Sequence, residues 1–150
     1  MNQQQTAFKS ITIIFSAFLM GQVIFAAIAY FLVSTGRFES RLSELEKIFM
    51  VLVPVMIVGG RLAGKAFYDK RIQTAQNNNT AAEKLEIYRG ATILRYAMLE
   101  GPVLFGIIGY LLTGSDMLIL FVAAGILLFF MLKPTKAKAA SELQVSEFDL

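Results

Sequence analysis

The chain contains no cysteine, no histidine and no tryptophan, and only three prolines in 150 residues. Without cysteine there is no disulfide and no thiol nucleophile. Without histidine the commonest general base is missing. With both absent, the usual zinc ligand sets cannot be assembled. Charge is also scarce: Asp, Glu, Lys and Arg make up 17% of the residues, against about a quarter in ordinary globular domains. No cofactor and no enzymatic activity are expected from this inventory. The net charge of +3 and pI near 9.3 do not make nucleic acid the expected partner, because membrane proteins collect Lys and Arg in cytoplasmic loops.

What the chain has in excess is apolar surface. Hydrophobic residues make up 56% of it, and the mean hydropathy is +0.60. A single domain of this length cannot hide so much from water, whereas a bilayer solvates it. Four apolar runs stand out, at 11–33, 48–64, 92–113 and 117–132. A crossing needs roughly twenty apolar residues, which the first and third supply easily. The second is completed by Arg61 and Lys65 snorkelling at its end. The fourth is short and follows the turn Thr113-Gly114-Ser115-Asp116. In lipid such runs must be helices, since an open strand leaves its backbone unpaired. Ala27-Ile28-Ala29 imitates a signal cleavage site, but the apolar run continues past it and only Lys9 precedes it, so the first helix is expected to be retained.

The expected fold is therefore an all-α integral membrane protein with four transmembrane helices in a tandem duplicated helical hairpin. The membrane domain covers 1–133, with repeats at about 10–64 and 90–133, and a disordered cytoplasmic tail covers 134–150. Lys65, Lys70, Arg71, Lys84 and Arg89 lie between spans two and three, with Lys9 before the first span and Lys133, Lys136 and Lys138 after the last. Against them stand Arg37, Arg41 and Lys47 in the first loop. This asymmetry places both termini in the cytoplasm, with a bacterial inner (cell) membrane as the expected location. Tyr30 and Tyr110 would then mark the outer interface, and Tyr68 and Tyr88 the inner one. Ser43-Glu44-Leu45-Glu46 reads as a capping box opening the second helix. Residues 73–80, with three consecutive Asn, read as a polar loop.

Shifted by 80 residues, the first span lies on the third. Thr12, Ile13, Ala17, Leu19, Gly21, Val23, Phe25, Ile28, Tyr30 and Leu32 meet the same residue types at Thr92, Ile93, Ala97, Leu99, Gly101, Val103, Phe105, Ile108, Tyr110 and Leu112. These ten identities fall in 23 ungapped positions, more than two apolar helices share by composition alone. The second and fourth spans show no such match. Both repeats carry a small-xxx-small pair, Ala17 with Gly21 and Ala97 with Gly101. Further small residues stand at Ala26 and Ala29 in the first repeat, and at Gly106 and Gly109 in the second. Gly60 and Gly64 give span two a similar face. Small residues let helices approach closely in lipid, so these positions are expected to pack helices together, within the chain or between copies.

Where the first repeat has Met20, the third span has Glu100. A charge at such a depth costs at least about 2.5–3.5 kcal/mol, and intramembrane acids are candidate functional sites for that reason. Glu100 is either a neutral acid hydrogen-bonded between helices, an acid paired with Arg61, or an ion-handling group. Arg95, five residues away, lies well around the helix from it.

The stretch Arg89-Gly90-Ala91-Thr92-Ile93-Leu94-Arg95-Tyr96-Ala97-Met98-Leu99-Glu100-Gly101-Pro102-Val103-Leu104-Phe105-Gly106-Ile107-Ile108 resembles the carboxylate helix of subunit c, the rotor-ring proteolipid of ATP synthases. The resemblance implies that Glu100 holds the position of the ion-binding carboxylate, with Phe105-Gly106 as the aromatic-Gly pair after it. Gly60-Arg61-Leu62-Ala63-Gly64-Lys65-Ala66 echoes the glycine-rich partner helix. The resemblance covers 59–113. It lacks the long glycine ladder and sets the carboxylate on an odd-numbered helix. It implies a proteolipid-like subunit that binds or moves protons or cations through Glu100, in a homo-oligomer or with other membrane subunits. The alternative is a non-catalytic structural or accessory protein that binds partner helices or lipids.

Overall fold

A computed structural model describes residues 3–38, 42–77 and 80–146. Among these residues the structure is helical, with no strand. Five α-helices follow one another: α1 (Gln3–Ser34), α2 (Glu46–Gln76), α3 (Ala81–Thr113), α4 (Asp116–Phe130) and α5 (Lys136–Leu143). Three of them, α1, α2 and α3, are long and apolar enough to cross a membrane. The 15 residues of α4 rise only about 22 Å, less than the roughly 30 Å of hydrocarbon.

Local chemistry sets the ends. Thr80 caps α3 by accepting from the Glu83 amide, and Thr135 caps α5 by accepting from the Lys138 amide. Gly114, at φ +70°, ends α3 in the left-handed conformation and returns its N–H to the Tyr110 carbonyl. Three local expectations are corrected. The residue capping α2 is Leu45 rather than Ser43, which opens the 3-10 turn Ser43–Leu45 ahead of it. The polar loop is far shorter than 73–80, because α2 runs on to Gln76; Asn78 and Asn79 lie outside the described residues. The tail from 134 is not disordered throughout, since it contains α5, with Ala139, Ala140 and Leu143 buried.

Helix α3 is the centre of the bundle, packed on α1, α2 and α4. α1 runs parallel to it, with Phe15 against Tyr96 at 5.5 Å and Tyr30 stacked on Tyr110 at 6.5 Å. α2 runs antiparallel, with Phe49 beside Phe105 at one end and Tyr68 beside Tyr88 at the other. α4 is antiparallel too, with Phe129 against Tyr96 at 5.3 Å. The second arms of the expected hairpins differ, since α2 has 31 residues and α4 has 15.

Large apolar residues also face outward along the bundle. Val51, Val55, Leu62, Leu120 and Leu127 are each 60% exposed or more. In water such a girdle is an aggregation surface; in lipid it is already solvated.

Candidate functional site

One proline and four glycines determine how closely α3 is approached. Pro102 has no N–H to give the Met98 carbonyl four residues back. A Cβ built on Gly60 would collide with that same carbonyl oxygen and press on Pro102 Cγ. The backbone of α2 thus crosses α3 where α3 lacks its own hydrogen bond, and only glycine permits the crossing. Further along, a Cβ on Gly106 would lie 2.9 Å from Val122 and 3.0 Å from Val53. On Gly109 it would lie 2.6 Å from the Phe49 ring, and on Gly125 2.6 Å from Val103. Gly64 has room, with its nearest neighbours at 3.5 Å.

The expected packing positions therefore divide. Gly60, Gly64, Gly106 and Gly109 sit in helix contacts. Ala17, Gly21, Ala97 and Gly101 do not: all four are exposed, and nothing lies within 4 Å of a Cβ on Gly21 or Gly101. With Leu94 and Ile108, Ala97 and Gly101 form an outward strip of α3.

Glu100 stands at the edge of this strip, half-buried. The expected pair with Arg61 is absent among the described residues, for a geometric reason. Met98 and Pro102 face Gly60 of α2. Glu100, two residues past Met98, is turned about 200° around the helix from it at 3.6 residues per turn. Arg61 instead lies within reach of the charge of Arg95. Arg95 in turn lies over the Tyr68 ring, 4.6 Å from its centre. The two guanidiniums leave Arg61 Nη1 and Arg95 Nε buried without a hydrogen-bond partner.

Gln22 is the residue that sequence reasoning passed over. It is 0% exposed on α1, and both its Oε1 and Nε2 lack a partner. Two turns before it on the same stripe, Phe15 packs on Tyr96 and Phe129. The signal was present, since Gln22 is the one amide inside the first apolar run.

At the opposite end from Gly114 the bundle turns polar. The Tyr68 hydroxyl donates to the Glu142 carboxylate. Gln76 Nε2 donates to the Glu142 carbonyl at 2.8 Å, and Lys84 Nζ to the Leu143 carbonyl at 3.2 Å. Tyr96 donates to the Leu132 carbonyl at the end of α4. These bonds hold α5 across the ends of α2 and α3. No family model, curated protein or solved structure matches the chain.

Proposed function

We propose that this chain is a membrane subunit, without enzymatic activity of its own, in which Glu100 holds a proton or a small cation within an oligomer. The observation that carries the reading is an acid five residues, or about 7.5 Å, deeper along α3 than Arg95, with no cation paired to it among the described residues. It borders a strip where Ala97 and Gly101 leave room for another helix. Lipid offers no hydrogen bond to such a group. Protonation or a partner helix relieves the cost of keeping it there. In this reading α1, α2 and α3 span the bilayer and α4 makes a fourth, thinned crossing. Both termini are cytoplasmic, and the Tyr68–Tyr88 end faces inward with most of the Lys and Arg.

The accessory alternative rests on a different observation, the open strip itself, which would serve a partner helix equally well without ion movement. The two readings separate in proteoliposomes. Glu100→Gln is expected to fold normally, to lose labelling by a carboxyl-reactive carbodiimide at this position, and to abolish proton or cation flux. Unchanged flux in Glu100→Gln, or none in the unaltered protein while it still co-assembles, leaves the accessory role.

A further inference from the structure

We infer that the cleft at the α5 end of the bundle, walled by Thr92, Arg95, Lys133 and Lys138, binds an anionic phosphate group. Tyr68, Tyr88, Tyr96, Leu132 and Pro134 complete its lining. This site shares no residue with the Glu100 strip and does not depend on its role.

The chemistry of the lining is one-sided. Arg95, Lys133 and Lys138 bring three positive charges, and no carboxylate lines the cleft. The nearby acid, Glu142, already accepts from Tyr68. Thr92 is 4% exposed, with its hydroxyl buried in the lining next to Tyr88. Arg95 Nε is buried and unpartnered, and Arg61 adds a further charge beside Arg95. The carbonyl at the end of α4 is used by Tyr96. Buried donors without acceptors are destabilising, and like charges gathered without a counter-ion repel. An anion with several oxygens answers both. The enclosed space is about 10 Å³, close to the volume needed for one water-sized atom. One phosphate oxygen fits inside, and the rest of the group stays at the mouth beside Lys133 and Lys138, both exposed. Charge-assisted bonds of this kind are the stronger class. Depth agrees as well, because Thr92 and Arg95 stand in the first turn of the third apolar run, beside the level at which lipid headgroups would lie.

A lipid headgroup and a soluble phosphate share this chemistry, and titration separates them. The full chain, purified in mild detergent, is followed by thermal unfolding as phosphatidylglycerol, phosphatidylcholine or inorganic phosphate is added. Phosphatidylglycerol is expected to raise the midpoint, and phosphatidylcholine to leave it unchanged. The half-saturating concentration should rise about tenfold in Arg95→Gln and in the Lys133→Gln/Lys138→Gln double variant. Lys70→Gln removes a charge from an exposed position outside the cleft and should change nothing. Because Arg95→Gln also removes the stack on Tyr68, the exposed double lysine variant decides if that protein fails to fold. A response to inorganic phosphate with phosphatidylglycerol inert keeps the anion site and makes its source soluble. Equal responses to both lipids with none to phosphate, or unchanged titration in the double variant, overturn the proposal.

Discussion

The two ends of the central helix are held by different means. Towards Gly114, α3 meets its neighbours through Gly106 and Gly109, which receive Val53, Val122 and Phe49. Contact there is close and carries no charge. Towards α5, the same helix is held by Tyr96, Tyr68, Lys84 and Arg95, through hydrogen bonds to chain ends and a cation over a ring. The difference follows from the residues each part carries, apolar towards Gly114 and polar towards α5. Hydrocarbon neither competes for packing contacts nor supplies hydrogen bonds, so an apolar segment gains most from shape. Where water and headgroups are near, polar side chains can be satisfied, and specific pairs hold the chain.

Breaking the close contact should have the largest effect. Gly60→Ala places a methyl group on the Met98 carbonyl, which is backbone and cannot turn aside. A loss of about 3 kcal/mol or more is expected, above the usual cost of overpacking, measured by detergent unfolding. Gly109→Ala meets a ring that can shift, and should cost about 1–3 kcal/mol. At the polar end, Tyr68→Phe removes one hydrogen bond and should cost about 1 kcal/mol. Adding Glu142→Gln should cost less than the sum of the two single changes, as for any shared contact. Full additivity would mean that the Tyr68–Glu142 bond contributes nothing. Gln22→Leu should act in the other direction, stabilising by about 1 kcal/mol, because a fully buried amide without partners gives way to an apolar side chain. A large loss of stability in Gln22→Leu would show that the amide has a partner in the folded protein. The smallest change is expected for Gly101→Ala in the isolated chain, within about 0.5 kcal/mol, since its Cβ meets open space. If Gly101→Ala also disrupts an oligomer, the outward strip is an interface.

Much of the helical layout was legible, because hydropathy over twenty residues reports solvation directly. The turn at Gly114 was legible as well, from its Gly-Ser-Asp chemistry. The lengths of α2 and α3 were not. Both run well past their apolar segments, to Gln76 and back to Ala81, because pairing with each other and with α5 extends them. The candidate site was half legible. Glu100 stands out as an acid in an apolar run, but its separation from Arg61 depends on which face of α3 meets α2. The glycines were legible as small residues and not as contacts. Gly21 and Gly101 fit the same pattern as Gly60 and Gly109, yet two are packed and two are open.

By itself, then, the sequence determined the all-helical class of this protein, helices long and apolar enough to cross a membrane, and an acid within an apolar run. Those properties belong to single segments and to their exchange between water and lipid. Tertiary structure alone decided that α3 is central, that Arg61 lies beside Arg95 rather than Glu100, that Gln22 is enclosed, and that the tail folds back as α5. Each of these depends on the rotation and register of one helix against another. Small residues widely spread along every helix permit several such arrangements, and only the fit of Gly60 over the Met98 carbonyl and of Phe49, Val53 and Val122 over Gly106 and Gly109 selects among them.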